Sequence, residues 1–81
     1  MTNYKITIID RVNGYCTEAG FDRLHDVRIS LRTIFSLFLL GDNSDEFSVV
    51  VYRESDIIQT FGCWDEWTQW HENGMKFALE V

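Results

Sequence analysis

Apolar and polar positions divide the chain into stretches of period two and stretches of helical period. Tyr4-Lys5-Ile6-Thr7-Ile8-Ile9 alternates and is rich in β-branched residues, which predicts a strand. Asn13-Gly14 follows it. Both residue types tolerate positive φ, so a tight hairpin turn is expected there, with residues 15–19 returning as a second strand. The most apolar run covers residues 31–40. Within it Leu31, Ile34, Phe35 and Phe38 recur at i, i+3, i+4 and i+7, one face of a helix. Ser30 stands where an N-cap belongs and Gly41 just past the end. Leu37 and Leu40 project to the other side, so this helix is expected to be covered on both flanks, by core or by an interface.

Residues 21–29 admit two readings. Leu24, Val27 and Leu31 have helical spacing, with Asp22 as a cap; Val27-Arg28-Ile29-Ser30-Leu31 alternates with period two. The alternation favours a connecting segment or short strand that enters the helix at Ser30. Beyond an acidic loop at residues 41–46, Phe47-Ser48-Val49-Val50-Val51-Tyr52-Arg53 is the strongest strand signal. A polar turn, Glu54-Ser55-Asp56, leads to a returning strand at residues 57–61. Trp64, Trp67, Thr68 and His71 share a face at helical spacing over residues 64–72, with Asp65 and Glu66 in the first turn, where they suit the helix dipole. Asn73-Gly74 stops that helix, and residues 75–81 alternate again.

The predicted order is β-β-α-β-β-α-β in a single domain, residues 1–81. This is an α+β arrangement: a mostly antiparallel sheet of four or five strands, with two helices packed on one face. It hints at two ββα units without residue-level repetition, and a ferredoxin-like or related split βαβ order is one way to arrange them. A hydrophobic fraction of 46% and an aromatic fraction of 15% supply the dense core that so short a chain needs.

Charge narrows the function. Residues 1–40 carry five Lys and Arg against four Asp and Glu, net +1; residues 41–81 carry two against nine, net −7. Direct nucleic-acid binding and anionic-membrane binding both want a basic footprint, so neither is expected. A basic protein surface is the partner that this charge favours. Met1-Thr2-Asn3-Tyr4-Lys5 leads into a strand pattern rather than a signal-peptide core, and the apolar run is too short to span a bilayer, so a cytoplasmic location is expected.

Candidate chemistry is sparse. Cys16 and Cys63 have no partner at motif spacing and are expected to be reduced and non-catalytic. Asp22-Arg23-Leu24-His25-Asp26 sets a histidine among carboxylates, but a metal needs three or four converging ligands and the other histidine, His71, lies in the tryptophan-rich helix. No phosphate-binding loop, nucleophile elbow or Cys-x-x-Cys pair is present, and Lys5 and Lys76 make no carboxylate–lysine nuclease signature. No catalytic residue, cofactor or metal is therefore assigned, and an enzyme is not expected. Trp64, Trp67 and Trp70 at i, i+3 and i+6 form a stripe wider than one helix face, to be read as core or as interface.

Length, the acidic stretch from Asp42 to Glu80, the Asn13-Gly14 and Asn73-Gly74 punctuation and the lack of catalytic motifs together resemble the small acidic proteins by which phages and mobile elements block bacterial defence, of anti-CRISPR or anti-restriction type. The resemblance is one of overall profile and rests on no motif. It implies binding to a basic, nucleic-acid-handling effector in a bacterial host cytoplasm and occlusion of its site. The partner-binding residues expected are Asp42, Asp45, Glu46, Asp65, Glu66, Glu72, Trp67 and Trp70. The alternative is an assembly module, a homodimer through the apolar helix at residues 31–40.

Overall fold

A computed structural model describes residues 3–38 and 46–77, with residues 37 and 38 described by backbone alone. Strands β1 (Tyr4–Asp10), β2 (Cys16–Phe21), β3 (Phe47–Arg53) and β4 (Asp56–Phe61) form one antiparallel sheet in the order β2-β1-β3-β4. Helix α1 (Leu24–Thr33) connects β2 to β3, and helix α2 (Trp64–Glu72) follows β4. The fold is α+β, and the first six elements follow the expected order. β2 and β3 run parallel with β1 between them, so α1 is the crossover of a split βαβ unit. The sheet centre is the pair formed by the first strands of the two hairpins, not a ferredoxin-like order.

The period-two pattern sets the faces. The registers Ile6↔Val51, Ile8↔Val49 and Val49↔Phe61 put these residues on one side. That side meets Val27, Leu31 and Phe35 from the first helical segment, Trp67 and Trp70 from α2, and Phe77, in a single cluster. Both helices therefore cover the same sheet face. Fully burying each large apolar side chain contributes about 1.5–3 kcal/mol.

The first helix begins six residues before its expected start at Ser30. Val27 and Leu31 are fully buried while Ile29, between them, is 48% exposed. A strand would have put all three on one face, so the helical period is the one the chain obeys. Ser30 lies inside α1. Arg23 is the N-cap, extended and without a side-chain cap bond; its Nε donates to Asp26 Oδ2 at 3.2 Å in the first turn. At the other end Thr33 Oγ1 donates back to the Ile29 carbonyl at 3.1 Å, a bond that bends helices, and a π-helical turn, Ile34–Phe38, continues the chain. The side chains of Leu37 and Phe38, and all of Leu40, lie outside the described residues, and with them the proposed homodimer flank.

The β1–β2 connection is longer than the expected two-residue turn. Asp10 N donates to the Tyr15 carbonyl at 2.7 Å, and Gly14 N to the Asp10 carbonyl at 2.8 Å, closing a loop at residues 11–14. Gly14 alone in it takes positive φ, +80°. The Asp10 carboxylate accepts the Val12 and Asn13 amides, both at 3.0 Å, and Asn13 Nδ2 at 2.9 Å. These bonds, the Asn13 side chain first, hold its carboxyl below the usual aspartate range.

The expected C-terminal strand does not form at residues 75–77; residues 78–81 lie outside the described residues. Gly74 and Met75 take φ of +96° and +56°, which turns the chain back toward the helices. Arg28 Nε donates to the Met75 carbonyl at 2.9 Å, and Trp70 Nε1 to the Lys76 carbonyl at 3.0 Å. Phe77 is fully buried, 5.1 Å from the Trp70 ring and 5.5 Å from the Arg28 guanidinium. The segment thus fills the seam between α1 and α2. Its alternation reflects one buried aromatic, not sheet pairing.

Candidate functional site

Three of the acidic candidates, Asp65, Glu66 and Glu72, lie on α2. Asp65, Gln69 and Glu72 are spaced i, i+4 and i+7, and all three are exposed. The opposite stripe is core. Trp67 stacks on Phe35 at 5.1 Å and 18°, and Trp70 meets Phe61 edge-on at 5.4 Å. Trp67 and Trp70 are only 8% and 7% exposed. Of the expected partner-binding residues, these two stand beneath the helix rather than on its acidic side. Their burial fixes the rotation of α2, and that rotation presents Asp65 and Glu72 outward. Trp64, half-buried, packs on Trp67 at 5.0 Å and Phe35 at 6.3 Å.

Glu66 is exposed but occupied. Its Oε2 accepts the amide of Gly62, the residue before the N-cap Cys63, at 2.8 Å, and so ties the first turn of α2 to the chain that enters it. The Cys63-x-x-Glu66 spacing is that of a capping box, but the bond goes to the Gly62 amide and not to that of Cys63. Glu66 therefore serves α2 first, and its substitution would disturb the helix as well as the surface charge.

Glu46 joins the same end of the molecule through Arg11. The Arg11 amide donates to the Glu46 carbonyl at 2.9 Å. The Arg11 guanidinium donates to the Phe47 carbonyl at 3.3 Å and to the Gly62 carbonyl at 3.1 Å. One side chain thus ties the first hairpin loop, the start of β3 and the entry to α2. Nothing in the sequence pattern singled out Arg11, because its partners are backbone carbonyls distant in sequence. Asp42 and Asp45 lie outside the described residues.

The other candidates stay apart. Cys16 is exposed on the edge strand β2, and Cys63 is half-buried after the end of the opposite edge strand, β4; both are free. His25 is exposed on α1, and Asp26 beside it pairs with Arg23. His71 packs its ring 5.1 Å from Trp67. Among the described residues no group of three or more His, Cys, Asp or Glu converges as metal ligands. Among them, too, no helix is long and apolar enough to cross a membrane.

The arrangement offers a rigid helix with outward carboxylates, which can steer and dock a cationic surface. No family model, curated protein or solved structure matches the chain.

Proposed function

We propose that the chain is a non-enzymatic acidic binding protein. Asp65 and Glu72 on α2, with Glu46 at the same end, dock on a basic surface of a nucleic-acid-handling effector and occlude it, in the manner of an anti-CRISPR or anti-restriction inhibitor. The observation that supports this reading is the division of α2: an exposed Asp65-Gln69-Glu72 stripe backed by the buried Trp67 and Trp70. A helix held so firmly by its core side presents its carboxylates at little further entropic cost on binding. The net −7 of residues 41–81 extends the field beyond the helix itself.

The test is competition. The tagged chain is used to capture a partner from a bacterial lysate, and the partner's nucleic-acid binding is then titrated with the chain. Occlusion predicts mutually exclusive binding, with nucleic acid displaced as the chain is added. A ternary complex, or a partner without any nucleic-acid affinity, would overturn the proposal.

A further inference from the structure

The two edges of the sheet are built differently. β4 carries three features that discourage strand addition. A bulge interrupts its pairing with β3 between Val51 and Tyr52, and its first residue is the charged Asp56. The Gln59 side chain also donates to the Thr60 carbonyl at 3.2 Å, occupying an acceptor of that strand. β2, by contrast, is a regular six-residue strand, Cys-Thr-Glu-Ala-Gly-Phe, exposed from Cys16 to Gly20. It has no proline and no bulge, and its one charge, Glu18, is engaged by Lys5 of the same chain at 3.5 Å.

The register shows which backbone groups face outward. The bond from Asp10 N to Tyr15 O marks that pair as hydrogen-bonded. Alternation along the same register makes Ile8↔Thr17 and Ile6↔Ala19 hydrogen-bonded too, and leaves Ile9↔Cys16, Thr7↔Glu18 and Lys5↔Gly20 as the other kind. The far side of β1 agrees: Arg11 N bonds Glu46 O, so the odd-numbered residues of β1 face β3; Asn3, before the strand, departs from the alternation, its carbonyl accepting from Glu54 N and its amide donating to Phe21 O. The N–H and C=O groups of Cys16, Glu18 and Gly20 therefore point away from the sheet.

We propose that this edge pairs with the β2 edge of a second copy, antiparallel about a two-fold axis through Ala19, to make a continuous eight-stranded sheet. An antiparallel edge is self-complementary under a two-fold, so a second copy fits it without further surface features. Chemistry selects the register. Facing side chains must share a sheet face, so the axis passes through a residue, and only axes through Thr17, Glu18 or Ala19 pair more than one of the outward residues Cys16, Glu18 and Gly20. An axis through Glu18 sets two carboxylates opposite each other, and one through Thr17 pairs Glu18 with Cys16. The axis through Ala19 pairs Glu18 with Gly20 of the copy, bonding the outward groups of both. It also puts alanine, the smallest side chain in the strand after glycine, where the two backbones come closest, about 4.5 Å between Cα atoms. The two α2 helices then lie at opposite ends of the assembly, leaving both acidic stripes open.

The experiment has two arms. Sedimentation of the wild-type chain across a concentration series is expected to rise from 9.6 kDa toward twice that mass, with hydrogen exchange at the Glu18 and Gly20 amides slowing in step. Ala19→Lys, which sets two ammonium groups together on the axis, should remain monomeric with an unchanged far-ultraviolet spectrum. In the second arm Cys16 and Cys63 are replaced by serine. Ala19→Cys should then oxidise to a covalent dimer, since about 4.5 Å lies within disulfide reach, whereas Thr17→Cys, about 13 Å from its copy, should not. A wild-type mass that stays at 9.6 kDa throughout, or cross-linking through Thr17→Cys in place of Ala19→Cys, would overturn the proposal.

Discussion

Phe35→Ala is the perturbation that most severely tests how α2 is held. Phe35 is 1% exposed and stands where the first helical segment meets both the sheet and α2. Its ring touches Phe61 at 5.4 Å edge-on, Trp64 at 6.3 Å and Trp67 at 5.1 Å stacked. Removing a buried phenylalanine costs about 3–5 kcal/mol through lost transfer energy and the cavity left behind. The aromatic pairs, each worth about 0.5–1.5 kcal/mol beyond area, push the expected value toward the upper end without adding in full. A domain of this size has about 4–12 kcal/mol in total, so the variant should lose from about a third to all of its stability. Urea unfolding followed by tryptophan fluorescence measures the loss, because Trp67 loses its stacking partner. Phe35→Leu serves as control and should cost clearly less, since it refills much of the volume. A Phe35→Ala loss below about 1 kcal/mol would refute the placement of this ring at the junction.

Further outcomes follow from single features. Trp70→Phe should cost about 1 kcal/mol more than Trp67→Phe in urea unfolding, since the Trp70 indole donates to the Lys76 carbonyl while the buried Trp67 Nε1 has no partner among the described residues. Glu54 adopts φ of +57°, so Glu54→Asn should raise stability by about 0.5–1 kcal/mol; Gly74→Ala, at φ +96° with open space around the new Cβ, should lower it by about 1 kcal/mol, both read by thermal unfolding. The Asp10 carboxyl is held low by its bonds in the folded loop, so its contribution is present above the unfolded-state value and is lost as pH falls through the lower folded value. A carboxyl-resolved NMR titration should place its midpoint below that of the same group in the unfolded chain.

The strands were legible because β-branched alternation has one physical meaning when one face is buried: Ile6, Ile8, Val49 and Val51 line the core as their spacing requires. The start of α1 was not, because Val27-Arg28-Ile29-Ser30-Leu31 satisfies both periods at once. Only packing decides, by burying Val27 and Leu31 and leaving Ile29 out. Residues 75–77 alternate like a strand but are claimed by the seam between the helices, through backbone carbonyls that Arg28 and Trp70 seek from far along the chain. The site divides in the same way. Asp65 and Glu72 were legible as helix-surface carboxylates. The burial of Trp67 and Trp70 depended on Phe35 and Phe61 arriving from other elements, which local periodicity does not contain. Glu66 was legible as a first-turn carboxylate; its bond to the Gly62 amide was not, because that bond depends on where the helix starts.

Acidic docking through α2 is tested most directly by the association rate of the captured partner against ionic strength, measured for the wild type, Asp65→Lys and Asp22→Lys. The two variants change charge equally. Asp65 stands on the α2 stripe, and Asp22, also exposed, precedes α1. Because the Debye length shrinks to about 8 Å at physiological salt, the wild-type rate should fall steadily as salt rises. Asp65→Lys should slow association at low salt and flatten that dependence, while Asp22→Lys should leave both close to wild type. A rate indifferent to salt, or equally sensitive to the two substitutions, would contradict docking through the α2 carboxylates.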